Sequence, residues 1–184
     1  MSRRLWICFW IMLLSAQAFA IEAVSSHAVF YLPDTKASTA KPYIEVYWQA
    51  DPQTLHYKKN SNDKWNAKIH ANIQVSLGTK LLVDDNYDLS TREADSIWMA
   101  PLQTVLDLRR FNIVPGHLKL NVTLSETGDS THVYSTTDTF TVDFPAETAY
   151  YSDIQLLDTF VAITQKTIFL KNDMQQIPLC TNFL

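Results

Sequence analysis

Residues 64–77 read KWNAKIHANIQVSL, a two-residue alternation held over fourteen positions. Trp65, Ala67, Ile69, Ala71, Ile73, Val75 and Leu77 share one side. Asn66, Lys68, His70, Asn72, Gln74 and Ser76 share the other. Successive side chains of a strand point to opposite faces, so the stretch predicts one long strand with a dry and a wet face. Burying its larger apolar residues is worth on the order of 10 kcal/mol at most. Ordering its backbone costs at least as much, at about 1–2 kcal/mol per residue. Such a strand therefore needs a second apolar layer to face.

The pattern recurs on both sides. Residues 42–50 place Ile44, Val46, Trp48 and Ala50 inward, with Tyr43, Glu45, Tyr47 and Gln49 outward. Residues 117–124 turn Leu118, Leu120, Val122 and Leu124 inward, and residues 139–144 turn Phe140, Val142 and Phe144 inward. Shorter strands are expected at 27–32, 54–59, 79–83 and 102–111. The three glycines, Gly78, Gly116 and Gly128, all fall between alternating runs. Pro115-Gly116 suits a type II turn, and Asn60-Ser61-Asn62-Asp63 a polar one. Only residues 91–99 read as a short helix. The fold class expected is all-β, an immunoglobulin-like antiparallel β-sandwich over residues 27–148. Residues 149–184 read as a linker and the first strand of an incomplete second domain.

The first twenty residues stand apart. Arg3 and Arg4 precede an apolar run from Leu5 to Leu14, and Ala18-Phe19-Ala20 supplies a small-residue cleavage site. This is the pattern of a secretory signal peptide. The alternative, an uncleaved anchor, needs roughly 20 apolar residues, and Ser15 and Gln17 interrupt the run. Cys8 lies inside the run rather than at the start of a mature chain, which argues against a lipid anchor. The expected location is periplasmic or extracellular, without stable membrane insertion after cleavage.

Cleavage leaves 13 of the 15 basic residues against 19 acidic ones, a net charge of −6 with histidines neutral. Nucleic-acid affinity rests on neutralising phosphates, and this balance argues against it. The mature chain keeps Cys180 alone, so no disulfide framework is expected. There is no G-x-S-x-G, no H-E-x-x-H and no cysteine pair for zinc. Three glycines spent on turns leave none for a phosphate-cradling loop. No catalytic residue and no cofactor is expected.

His56, His70, His117 and His132 are scattered over several strands and converge only by coincidence of register, so no metal site is expected. Asp84, Asn86, Asp88 and Asp95 follow the outline of a calcium loop. Leu89 stands where that loop needs glycine, and Asp95 where it needs glutamate, so turn residues between strands are the better reading. Tyr43 and Tyr47 lie on the polar side of their strand, two residue steps apart on one face. Exposed, they could stack on sugar rings; they could equally pack under a loop, against a second domain or at a protein interface. Trp98 is similar, and is expected to cover an edge of the sandwich. Asn121-Val122-Thr123 matches a glycosylation acceptor, which three residues support only weakly.

The series PYIEVYWQAD (42–51), TLHYKKN (54–60), the long strand, LDLRRFNIVPGHLKLNVTL (106–124), YSDIQLLD (151–158) and IPLCTNFL (177–184) resembles the front part of GWxTD-domain proteins, exported bacterial proteins. The resemblance covers most of the chain after residue 28, but the Gly-Trp-x-Thr-Asp motif itself is absent. It implies the N-terminal sandwich of a longer protein and no known activity. Three functions follow as expectations. The first is a non-catalytic exported module that contacts a protein partner or its own C-terminal domain. The second is a carbohydrate-binding module using Tyr43, Tyr47 and Trp98, with a glycan as ligand. The third is an accessory domain of an enzyme lying beyond residue 184.

Overall fold

The computed structural model describes residues 20–32, 41–143, 152–163 and 165–179. Residues 1–19 of the signal segment, Phe144 and Cys180 therefore lie outside the described residues. Twelve strands are described: β1 (Ala23–Leu32), β2 (Lys41–Ala50), β3 (Lys58–Lys59), β4 (Trp65–Asn66), β5 (Lys68–Leu77), β6 (Lys80–Ser90), β7 (Val105–Asn112), β8 (Gly116–Glu126), β9 (Asp129–Val142), β10 (Leu157–Ala162), β11 (Leu170–Lys171) and β12 (Met174–Pro178).

Seven of them make the sandwich. One sheet has the order β1-β2-β7 and the other β6-β5-β8-β9, with every pairing antiparallel. In the constant-type immunoglobulin arrangement four strands form the first sheet and three the second. Here the split is three and four, because β6 folds back on β5 and extends the second sheet. Gly78-Thr79 makes that reversal in two residues, between the paired Leu77 and Lys80. Gly78 has φ 59° and Thr79 is not in the positive region, as a type II′ hairpin turn requires.

The alternation of the opening stretch becomes the core. Ala67, Ile69, Ala71, Ile73 and Val75 are buried, and they share one cluster with Ile44, Val46, Trp48 and Ala50 of β2 and Leu118, Leu120, Val122 and Leu124 of β8. Sheets facing each other over such alternating positions form the dry layer of a sandwich. A polar chain crosses this layer near one end. The Trp48 indole N–H donates to the Tyr87 hydroxyl (2.8 Å), which donates to Asp107 Oδ2 (2.6 Å). Arg109 Nε donates to the same oxygen at 3.2 Å and lays its guanidinium 3.5 Å from the Tyr87 ring centroid. Asp107 is buried, so these partners keep its carboxylate satisfied.

Four local expectations are corrected. Residues 91–99 form no helix: Ala94 exchanges both backbone hydrogen bonds with Trp65 at 2.9 Å, and a short 3-10 turn follows at Ala100–Leu102. Ser and Asp within that stretch compete for backbone bonds, which weakens a short helix. Asp84–Asp88 is not a turn but the middle of β6, where pairing with β5 overrides the local turn preference. Asp84, Asn86 and Asp88 consequently share one strand face. The Asp84 carboxylate accepts from Gln74, Asn72 and Asn86, which lowers its pKa. The strand expected at 54–59 shrinks to Lys58–Lys59, since Asp51 caps a 3-10 turn at Pro52–Thr54. Residues 157–178, expected as linker and one strand, hold a three-stranded sheet of order β10-β12-β11. Its β11–β12 reversal uses Asn172 (φ 53°) and Asp173 (φ 61°), the residue types that tolerate the two positive φ angles of a type I′ turn.

Three tyrosines tie stability to pH. Burial is the largest cause raising the pKa of Tyr47, Tyr57 and Tyr87, followed by Glu45, Asp51 and Asp107 respectively. Tyr57 is pushed from 10.0 to about 12. A phenol whose folded pKa is raised contributes stability that is whole below its unfolded pKa and is lost as pH climbs through the folded value. Lys171 acts in the opposite sense, because burial lowers its pKa. The expected outcome is alkaline unfolding that begins near pH 10, with tyrosinate absorbance and tryptophan fluorescence changing together. Phenols that ionise freely near pH 10 in a chain with native fluorescence would contradict this packing.

Candidate functional site

Two places gather chemistry-bearing side chains. The first is the outer face of the β1-β2-β7 sheet. Along β2, Tyr43, Glu45 and Tyr47 point away from the core, as the alternation requires. They do not meet solvent as a wet face would. Tyr47 is 2% exposed and packs with Ala28, Phe30 and Leu108, with Tyr43 and Phe169 around them. The cover comes from the C-terminal sheet: Lys171 Nζ sits 3.2 Å from the Phe30 ring centroid and 3.5 Å from Glu45 Oε1. Arg110 donates from Nε to Glu45 Oε1 (2.8 Å) and from a terminal nitrogen to the Ile168 carbonyl (2.9 Å). The Tyr47 hydroxyl donates to Glu45 Oε2. Glu45 is thus a buried carboxylate with two cations and a phenol.

The edge of the sheet is closed by the same segment. Asp153 accepts from the Val29 amide (2.7 Å) and returns its own amide to the Val29 carbonyl (2.9 Å), while Ser152 accepts from Tyr31 at 3.3 Å. An uncovered edge strand is a template for association, and these contacts block β1 in that role.

Of the roles left open for Tyr43 and Tyr47, packing under a covering segment is the one observed, and a sugar-stacking platform is not: Tyr47 is enclosed and Tyr43 half-buried against Phe30, ring centroids 5.4 Å apart. Trp98 is 84% exposed and does not cover an edge. It stands in the 95–99 turn with Met99, next to Leu102 of the following 3-10 turn, both exposed. The structure does not bring the three aromatics together as one platform.

The second place is the far end of the β8–β9 hairpin. Glu126 ends β8, His132 lies on β9, and His56 precedes β3. Glu126 Oε1 accepts from the His56 amide (2.5 Å), and Oε2 lies 2.7 Å from His56 Nδ1 and 3.4 Å from His132 Nδ1. The two imidazoles lie 4.8 Å apart between centroids, tilted by 32°. His132 is buried, and neither ring nitrogen has a hydrogen-bond partner. A cavity of about 480 Å³ opens beside His56 and Glu126, rimmed by Lys58, Lys59 and Lys68. The expectation that the four histidines stay apart holds for His70, which pairs with Asp88, and for His117, which bonds Thr141. It fails for His56 and His132. Between Ser125 and Glu126 the β8–β9 register jumps by three residues, from Ser125 opposite Val133 to Glu126 opposite Asp129, and such an irregularity carries no plain sequence signal.

The chain is thus an antiparallel β-sandwich with a small C-terminal sheet laid on one outer face. No protein family, no curated protein and no solved structure matches it. Among the described residues no helix is long and apolar enough to cross a membrane.

Proposed function

We propose that this chain is an exported, non-catalytic β-sandwich module, immunoglobulin-like in the broad sense, that works by contacting another protein, in the manner of the front part of a GWxTD-domain protein. The observation that carries the reading is the apolar surface of the C-terminal segment. Ile154 is 88% exposed and Phe160 67%, and Leu156 and Val161 are exposed beside them. Apolar side chains gathered in one exposed segment mark interaction surfaces more often than scattered ones do. Phe160 and Val161 lie on β10, an edge strand of the small sheet to which no further strand pairs among the described residues, so that edge offers main-chain groups as well as apolar ones. That combination suits an extended apolar strand of a partner added alongside β10.

A photo-crosslinking amino acid at position 160, introduced in the producing cell, tests the contact. An adduct of one defined mass is expected at 160 and none at Asn72, on the polar face of β5. No adduct at 160, or the same adducts at both positions, would remove the interaction reading.

A further inference from the structure

We propose that His56, Glu126 and His132 form a binding site for zinc(II). Their donor atoms all lie within 4.8 Å of one another, from three separate parts of the chain. Two neutral imidazoles and one carboxylate are a set that zinc accepts at about 2.0–2.2 Å. Closing donors from their present spacing onto one ion needs shifts of about an ångström, with the exposed His56 ring exchanging its contact to Glu126 for the metal. Calcium and magnesium prefer all-oxygen shells, so they fit poorly here.

The independent observation is His132. Its side chain is 3% exposed, yet both ring nitrogens lack a hydrogen-bond partner. A buried polar atom left without a partner is costly, and in native structures it points to a ligand, an ion or water. The Nδ1 atom faces Glu126 Oε2 at 3.4 Å, too long for a strong bond but suited to a shared ion between them. Tyr57, next to His56 in the chain, adds a second buried orphan: its hydroxyl has no hydrogen-bond partner. Three protein ligands leave zinc a further position open, and the adjoining cavity gives solvent or a small anion access to it. The lysines on its rim repel the incoming cation only weakly at physiological salt, where the screening length is about 8 Å. Bound there, zinc would pin the 51–59 segment to the β8–β9 hairpin. It would act as a structural clasp, independent of the contact proposed at β10.

Zinc chloride titrated into the purified, chelator-treated chain is the test, read by calorimetry and by thermal melting. One equivalent should bind, and zinc at a hundredfold excess over Kd should raise Tm by about 5–11 °C. Cobalt(II) should give visible absorption of the intensity that low-coordinate sites show. His56→Ala removes an exposed ligand and should fold normally, yet lose at least tenfold in zinc affinity. His132→Asn should lose as much, while His117→Ala, at a distant surface position, should bind as the native chain does. Three outcomes overturn the site: no Tm shift with zinc, an equal shift in His56→Ala, or an equal response to calcium.

Discussion

Replacing Trp48 by alanine is expected to lower stability by about 3–5 kcal/mol, the range for deleting a large buried aromatic. In a chain of this size that is a fall in Tm of about 6–20 °C, at roughly 2–4 °C per kcal/mol. The reason lies in its position. Trp48 is fully buried on the central strand of the three-stranded sheet and faces the aliphatic rows of β5 and β8. Its removal opens a cavity in the seam and also withdraws the indole N–H from the Tyr87 hydroxyl. Trp48→Phe separates the two effects. It keeps most of the ring and should cost about 1–2 kcal/mol, mostly for the lost hydrogen bond and a partial void. Denaturant unfolding of both variants provides the measurement. A cost under about 1 kcal/mol for Trp48→Ala would mean that the two sheets do not meet at this residue.

The seam itself was legible because it depends on a period of two, and that period survives whatever the loops do. Ile44, Val46 and Trp48 on β2, Ile69 to Val75 on β5 and Leu118 to Leu124 on β8 all face inward as the alternation requires. Local propensity was a poorer guide. Asp84 to Asp88 carries turn residues but is held extended by ten paired positions along β5. The outer face of β2 misled for a different reason. Tyr43, Glu45 and Tyr47 look solvated in their own strand, and their cover arrives from residues more than 120 positions later. Two signals were present all the same. The outward positions hold aromatics rather than lysines, and Asn172-Asp173 between apolar residues 168–170 and Met174 marks a tight hairpin. The histidine cluster had no comparable signal, since it forms where two hairpin arms and a distant segment end together.

The covered face supplies the second large effect. Arg110→Met should destabilise the chain by about 3 kcal/mol, near the lower end for breaking a buried pair, because the guanidinium is itself partly exposed. The cost falls on the residue left behind. Glu45 is 1% exposed and would keep only Lys171, at 3.5 Å, and the Tyr47 hydroxyl. Adding Lys171→Met strips the second cation and should bring the loss to about 3–5 kcal/mol, with the C-terminal sheet releasing first. The sign then reverses if the anion is removed as well. Introducing Glu45→Met and Tyr47→Phe into that double variant leaves an apolar contact between β2 and the C-terminal sheet, without a stranded charge or an orphan hydroxyl. Buried ion clusters replaced by apolar groups of similar volume are often neutral or stabilising, so most of the lost stability should return. Added salt should change these differences little, since a carboxylate so enclosed is poorly screened. Urea unfolding of the three variants decides the matter. If the fourfold variant stays as weak as the double one, Glu45 is not a buried carboxylate that depends on Arg110 and Lys171. In that case the outer face of β2 must be open to water.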